Sequence, residues 1–290
     1  MDASPATDRS RNVLFRLLLA TCLFGLAPPG ATAAARAPVW SVYAIRYATI
    51  PAFPVHDLVT GADTTRTVDI AMTCWLLEGG PGRHVLVDAG FYRSKFMDSW
   101  KPAAYVRPSE AVGRMVPPDS ITDVIISHVH WDHLDGADLF PNARVWIQRE
   151  EYAHHVGANG ARIDPAIDSL DAAMLFRLQA AGRVKLVEGD AREILPGLTA
   201  YTGGKHTFAS QYVGVRTAKG IVVVASDNVY LYENLERHRP IAQTLDSTSN
   251  LAAQERMKRL AASARLIVPG HDPAVFTRFH AAREGVVKVE

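Results

Sequence analysis

The sequence predicts an α+β fold in which two β-sheets pack face to face and helices cover their outer faces, an αββα sandwich. Three observations favour this arrangement. Short runs rich in β-branched residues dominate both halves of the 290-residue chain, each half also carries helical patterns, and no linker separates the halves. A doubly wound parallel sheet fits this order of elements less well. The hydrophobic content, 48%, is enough for a substantial core.

The predicted strands are apolar runs bounded by turn residues. In the first half they cover residues 40–50, 68–77, 84–87, 121–126 and 144–148. In the second half they cover residues 184–187, 198–202, 212–216, 221–225 and 265–268, the last of which we expect to end the sheet structure. Residues 51–66 contain prolines and glycine, which predict a loop. Helical spacing predicts helices within residues 92–115 and at 134–140, 149–155, 168–181 and 251–262.

The first 35 residues are arranged like a secretory signal peptide. A start with three arginines leads into an apolar run at residues 17–27, a break at Pro28-Pro29-Gly30 and a run of small residues that ends at Ala35. The apolar run is too short to span a bilayer. We therefore expect cleavage after Ala35, a mature domain at residues 36–290 and a periplasmic or secreted protein with no stable membrane insertion.

The cysteine and charge content of the chain argues against a lipid anchor, an internal disulfide and a nucleic-acid partner. Lipidation at Cys22 is disfavoured because Thr21 stands where a small residue is expected, and Cys74 then remains as a buried thiol that cannot form an internal disulfide. Basic and acidic residues nearly cancel, 31 against 30, and no dense basic run occurs, which argues against a nucleic-acid partner. A small molecule is the expected partner, and the chain is compatible with either a monomer or a homodimer.

The segment most informative about chemistry is residues 127–136, directly after a predicted buried strand. His128, His130, Asp132 and His133 lie within six positions. If the strand geometry continues, the first three can share a face and His133 can serve a second metal beside the first. Imidazole and carboxylate are preferred ligands of transition metals, so the cluster predicts a metal site.

Three other potential ligands also follow predicted strands. They are His206, Asp227 and His271. Loops at one rim of a sandwich can converge on a single site, although alone His206 or His271 fits a hydrogen-bonded loop histidine better and Asp227 a turn former or helix cap. Asp88, at another strand end, fits both a turn-capping role and support of a ligand histidine. The adjacent His154 and His155 are expected on the surface of a helix.

Together these residues resemble the metallo-β-lactamase-fold hydrolases over nearly the whole mature chain. The matched landmarks are Asp88-Ala89-Gly90, the H-x-H-x-D-H motif at 128–133, His206, Asp227 and His271. The resemblance implies that His128, His130 and His206 hold one metal, that Asp132, His133 and His271 hold another, and that Asp227 bridges them. It also implies the αββα fold. Two divalent ions would share a water and present a hydroxide at neutral pH. Zinc suits the ligands best, and iron, manganese or cobalt also fits.

Within that family the chain is most similar to the N-acyl-homoserine lactonases. Tyr230 follows Asp227 by three positions, Gly270-His271-Asp272 ends the ligand set, and residues 145–152 match the strand after the metal motif. The resemblance implies a bridging hydroxide that opens a lactone ring, with Tyr230 stabilising the oxyanion and Asp227, or a water on a metal, protonating the leaving alkoxide. Asp132, Asp227 and Tyr230 are therefore the candidate catalytic residues.

Several alternatives stay open. They are hydrolysis of another lactone, an ester or a thioester, a periplasmic β-lactamase, and a mononuclear iron redox protein. The complete ligand set argues against the β-lactamase, and the short segment after His271 argues against a glyoxalase II-like thioesterase. Lys205 stands where this family usually has glycine, a departure that bears on the choice of substrate and not on the metal site. Trp131, Phe91, Tyr92 and Phe208 are candidates for a wall against an acyl chain.

Overall fold

A computed structural model describes residues 39–80 and 82–290. The predicted signal peptide and its cleavage site lie outside the described residues, so both stay predictions, as does the start of the mature domain at residue 36. Within the described ranges, no helix has the length and hydropathy that a membrane span requires.

The described residues form thirteen strands. They are β1 (Ser41–Pro54), β2 (Thr67–Glu78), β3 (His84–Val87), β4 (Ile121–Ile125), β5 (Arg144–Gln148), β6 (Val184–Val187), β7 (Arg192–Leu195), β8 (Leu198–Thr202), β9 (Gln211–Thr217), β10 (Gly220–Ser226), β11 (Ile267–Pro269), β12 (His280–Arg283) and β13 (Val286–Val289).

Eight α-helices and five short 3₁₀ turns connect them. The helices are α1 (Ser94–Trp100), α2 (Pro108–Gly113), α3 (Trp131–Leu134), α4 (Arg149–His155), α5 (Ser169–Ala180), α6 (Tyr232–Glu236), α7 (Ser247–Leu260) and α8 (Val275–Arg278). The 3₁₀ turns are Val55–Asp57, Pro118–Ser120, Asp135–Leu139, Ala158–Gly160 and Ala264–Leu266.

The strands form two sheets, which confirms the predicted αββα sandwich. One sheet has eight strands in the order β12-β13-β1-β2-β3-β4-β5-β6, and the other has five in the order β11-β10-β9-β8-β7. Apolar side chains of both sheets, such as Trp75 and Val224, form one buried cluster between them. A second cluster joins the larger sheet to α2 and α5, and a third packs α7 on the smaller sheet.

Strand β2 shows why its sequence is a continuous apolar run rather than an alternating one. Trp75 and Leu77 belong to the core between the sheets, whereas Cys74 and Leu76 point to the opposite face and pack with the helices. Because both faces of this central strand are buried, both parities of its sequence must be apolar. Cys74 is a free, fully buried thiol, as predicted.

Some predicted boundaries were wrong. The strand expected to be last, β11, is followed by β12 and β13, and β13 pairs antiparallel with β1 from the beginning of the domain. The region 51–66 is not entirely a loop, because β1 continues to Pro54 across an irregularity after Ile50. Strand β7 was not predicted. Helix α7 begins at Ser247, where the Asp246 carboxylate accepts a hydrogen bond from the Ser249 amide.

Candidate metal centre

The seven predicted ligands lie at one rim of the sandwich because their loops follow neighbouring strand ends. Strands β3 and β4 run parallel, so Asp88 and the segment beginning at Ser127 leave the larger sheet at the same edge. Strands β10 and β11 are also parallel and bring Asp227 and His271 to one edge of the smaller sheet. His206 follows β8 of that sheet.

The ligands form two groups, in each of which the nearest donor atoms all lie within 4.8 Å of one another. One group contains His128, His130, His206 and Asp227, and the other contains Asp132, His133 and His271. Each group takes residues from loops of both sheets. The structure thus brings together all seven predicted residues in the two sets that the resemblance implies.

The Asp227 carboxylate lies between the groups. Its Oδ2 is 3.4 Å from Nε2 of His206 and 3.7 Å from Nε2 of His128. Its Oδ1 is 3.0 Å from Nε2 of His271 and 3.3 Å from Nε2 of His133. One oxygen therefore faces each group, which is the geometry that a bridging ligand requires.

The imidazoles are held from behind, so that one nitrogen of each faces the centre. The Nδ1 atom of His133 lies 2.8 Å from Asp88 Oδ2, that of His206 lies 2.7 Å from the Gln243 carbonyl oxygen, and that of His271 lies 3.1 Å from the Ala71 carbonyl oxygen. Each partner accepts the Nδ1 proton and leaves the Nε2 lone pair directed at the centre.

The arrangement fits two divalent cations. Nδ1 of His130 lies 3.0 Å from Nε2 of His128 and 2.9 Å from Nε2 of His206. Spacings near these are the edges of a tetrahedron around an ion bound at about 2.0–2.1 Å to nitrogen and oxygen. His133 Nε2 and Asp227 Oδ1 are buried without a hydrogen-bond partner. A cation in the second group would satisfy both atoms, whereas leaving them unpaired is costly.

Burial and charge set the protonation of the ligands. Burial, reinforced by neighbouring imidazoles, holds the pKa of His128 well below its ordinary value and lowers the pKa of His130 to about 4. Burial acts in the same direction at His133, but the carboxylates of Asp227 and Asp132 outweigh it and raise the pKa of His133 well above the usual range. A metal at the second group must therefore displace a proton.

Two residues outside the ligand set, Asp88 and Ser226, support the second ligand group. Asp88, whose role the sequence left open, contacts His133, and its carboxylate also accepts hydrogen bonds from the amide and hydroxyl of Ser127 and from the hydroxyl of Ser226. Ser226 itself gave no signal beyond its place at a strand end. Asp88 and Ser226 thus join the loops of both sheets beneath the second group.

Glu151 is the other unpredicted residue, although it lies within the segment that resembles the lactonases. Its fully buried carboxylate accepts hydrogen bonds from the Val129 amide at 3.2 Å, the Thr207 hydroxyl at 2.5 Å and the Ala209 amide at 2.6 Å. These donors flank ligands of the first group in two different loops. Glu151 therefore fixes the spacing between those loops.

Tyr230 and Asp132 lie on the floor of an open cleft of about 580 Å³. The Tyr230 hydroxyl is 3.4 Å from Nδ1 of His206. Burial and the charges of Asp227 and Asp132 raise the pKa of Tyr230 well above its ordinary value, so the phenol keeps its proton at neutral pH. Asp132 Oδ2 lies 3.4 Å from His133 Nε2, within the second group.

Only one of the four predicted wall residues lines this cleft. Trp131 does so, whereas Phe91 is fully buried beneath it and the Tyr92 hydroxyl donates to Asp138. Phe208 lines a neighbouring cavity instead. The wall of the cleft consists mainly of side chains from the β1–β2 region and α1, which the sequence did not point to: Ile50, Phe53, Leu58, Ile70, Met72 and Trp100.

The unusual Lys205 has a local explanation. Its ammonium group donates to the Phe208 carbonyl oxygen at 2.8 Å and lies 4.9 Å from the centre of the Phe208 ring. These contacts pair the charge outside the set of metal ligands. The residue adopts a positive φ of 58°, a backbone conformation that explains why glycine is common at such a position.

Ligands of this kind at the base of an open cleft are the means by which metal-dependent hydrolases activate water, and this chain is such a hydrolase. Residues 71–271, from β2 to the last ligand, match the profile of the Metallo-beta-lactamase superfamily. The chain belongs to that superfamily.

Three individual relatives each share less than 30% sequence identity with this chain. An N-acyl homoserine lactonase from Bacillus sp. is 28% identical over 223 residues, which are 71% of this chain and 82% of the relative. A solved structure of a Bacillus thuringiensis AiiA variant with N-decanoyl-L-homoserine bound superposes with a TM-score of 0.66 at 22% identity, over 84% of this chain and 98% of that one. AidC, described as a dizinc quorum-quenching lactonase, gives 0.62 at 15% identity, over 82% and 89% of the two chains. Both solved structures have the same fold as this chain.

Proposed function

We propose that the protein hydrolyses the ring of N-acyl-homoserine lactones. The observation that carries this proposal is the position of Tyr230, a buried phenol donor that lines the same cleft as Asp227, Asp132 and a set of apolar side chains. Such a cleft offers polar groups to a lactone head and apolar surface to an acyl chain. The names of the relatives, N-acyl homoserine lactonase, support the same substrate class.

The two ligand groups would hold a pair of divalent cations, with zinc the favoured ion, and these supply an activated water and polarise the lactone carbonyl. Tyr230 donates a hydrogen bond to the carbonyl oxygen as negative charge develops on it. Asp227 is held as a carboxylate, because nearby imidazoles outweigh burial and keep its pKa well below the ordinary value. It can therefore bridge the two cations as an anion, and we assign to it the transfer of a proton from the attacking water to the leaving alkoxide.

The decisive experiment is a pH-stat screen of the purified zinc-loaded protein. Ring opening, thioester cleavage, β-lactam hydrolysis and phosphodiester cleavage all release acid, so one readout compares every candidate. We expect the highest kcat/KM on N-acyl-homoserine lactones and a loss of that activity on chelation. A higher kcat/KM on a thioester, a simple ester or a β-lactam would contradict the proposal. Oxygen consumption without acid release would point to the redox alternative.

We also propose that the activity lies outside the cytoplasm, where it would quench diffusible N-acyl-homoserine lactone signals. The support is the signal-peptide pattern of residues 1–35. Fractionation of expressing cells, with N-terminal sequencing of the mature protein, tests this point. Recovery of the activity in the periplasm or medium with a new N-terminus near Arg36 is expected. Full-length protein confined to the cytoplasm would contradict it.

A further inference from the structure

A third group of potential ligands lies outside the centre described above. His154 and His155 occupy the last turn of α4, and Asp164 lies on the loop that follows. Nε2 of His154 is 3.6 Å from Asp164 Oδ2, and Nδ1 of His155 is 3.4 Å from Asp164 Oδ1. The nearest donor atoms of the three residues all lie within 4.8 Å of one another. His155 is buried, so the expectation that both histidines lie on the surface is wrong for this residue.

The loop after α4 builds this arrangement. The amide of Gly157 donates to the Ala161 carbonyl oxygen at 2.7 Å, and the amide of Ile163 donates to the carbonyl oxygen of His155 at 3.0 Å. The chain thus turns back on itself and returns Asp164 to the end of the helix. The Ala166 amide then donates to Asp164 Oδ1 at 2.8 Å, which fixes the carboxylate and lowers the pKa of Asp164.

His155 is the unusual member of the group. Its side chain is 2% exposed, and neither ring nitrogen has a hydrogen-bond partner. A buried imidazole with two unpaired nitrogens is costly, because each nitrogen loses its contact with water and makes no hydrogen bond to the nearest carboxylate oxygens, which lie 3.4 and 3.7 Å away. Nδ1 points towards Asp164 and His154. The missing partner of this nitrogen therefore belongs between the three side chains.

Glu151 lies behind the other nitrogen. Its Oε1 is 3.7 Å from Nε2 of His155, one helical turn away. A metal-bound histidine commonly directs its second ring nitrogen to a carboxylate, which fixes the tautomer and strengthens the imidazole as a ligand. Glu151 is held in position for this part by the hydrogen bonds that it accepts from Val129, Thr207 and Ala209.

We propose that His154, His155 and Asp164 bind one divalent transition-metal ion, separate from the pair at the catalytic centre. Two imidazoles and a carboxylate at these spacings suit zinc. The three side chains line an open cavity of about 730 Å³ that His130 and His206 also line, so water from this cavity can supply the fourth ligand of the ion. Glu151 links this site to the loops of the first ligand group.

The direct test is the metal content of the purified chain after equilibration with Zn²⁺ and removal of free ion. Two equivalents fill the pair, so the proposal expects about three ions in the wild type and about two in His154→Ala and in Asp164→Asn. These side chains are 37% and 32% exposed, so both variants should fold. His238→Ala is the matched control, because His238 forms a comparable pair with Glu255 at 3.2 Å on the surface, and it should retain about three ions.

Other outcomes overturn the proposal. A wild type that saturates at two ions would mean that water or a proton satisfies His155. Equal metal content in the wild type and both variants would mean that the third ion lies elsewhere. A folded variant that binds fewer than two ions would mean that the three residues act through the pair. Because metal content is measured without substrate, failure of the lactonase proposal would leave this result unaffected.

Discussion

Replacing Asp88 by asparagine would test how the second ligand group is held. The change preserves the shape of the side chain and removes its charge. The Asp88 carboxylate accepts four hydrogen bonds, of which the one from His133 Nδ1 is decisive for the metal. The hydroxyls of Ser127 and Ser226 can rotate to suit an amide. The His133 imidazole can accept a hydrogen bond from an asparagine NH₂ at Nδ1 only if its own proton moves to Nε2, the nitrogen that must face the metal.

The expected loss of metal affinity follows from this conflict between the hydrogen bond at Nδ1 and the metal at Nε2. Residues that support metal ligands in this way typically contribute about 10- to 100-fold in metal affinity, which corresponds to about 1.4–2.8 kcal/mol. We expect Asp88→Asn to fall within this range for the ion of the second group, to which His133 belongs. An asparagine that turns its oxygen towards His133 keeps the correct tautomer and presents its NH₂ to the Ser127 amide, so neither orientation restores all four hydrogen bonds.

Competition with a chromophoric chelator would measure the affinity of each ion in the wild type and the variant. Asp123→Asn is the matched control, because Asp123 is also buried and accepts hydrogen bonds from Arg144 and Trp146 but contacts no metal ligand. It should reduce thermal stability and leave metal affinity unchanged. A folded Asp88→Asn chain that binds both ions within twofold of the wild type would refute the tautomer argument.

Three further predictions concern the same centre. Tyr230→Phe should lower kcat on the best lactone by about 10²- to 10³-fold with unchanged metal content, and an unchanged kcat would remove its role as oxyanion donor. Gly270→Ala would place a Cβ 2.6 Å from Asp227 Oδ1, so metal analysis should find weaker binding by about tenfold or more, whereas Gly113→Ala, with 3.9 Å to its nearest neighbour, should match the wild type. Because the pKa of His133 is raised in the metal-free chain, metal binding near neutral pH should release a proton and weaken as the pH falls. Calorimetry in buffers of different ionisation enthalpy would detect the released proton. Metal binding without proton release would contradict the assignment of His133 as a ligand.

One part of the ligand set was predictable because its signal is local: the H-x-H-x-D-H motif can be read directly from a short window. His206, Asp227 and His271 were assigned to the set through the resemblance to a known family, because each alone fits other roles. The supporting contacts are not local: Asp88 and Ser226 are 138 positions apart, and Glu151 reaches Ala209 across 58. Single residues of these types occur throughout the chain, so only the packing of the two sheets identifies the ones that matter.

The difference between local and long-range signals also explains the errors in the predicted fold. Strand β12 is fully exposed and β13 has only four residues, so neither has a clear periodic pattern, and the pairing of β13 with β1 joins opposite ends of the domain. His155 was misplaced because a helical pattern alone does not show that the following loop turns back over its last turn. Long, strongly periodic elements such as β2 and α5 were placed correctly to within one or two residues.

The division of each ligand group between the two sheets has a consequence for how the protein matures. The larger sheet supplies the H-x-H-x-D-H segment and the smaller one supplies His206, Asp227 and His271, so neither layer alone contains a complete set of donors. Tight metal uptake must therefore await the docking of one layer on the other. Once bound, the ions would cross-link the two layers.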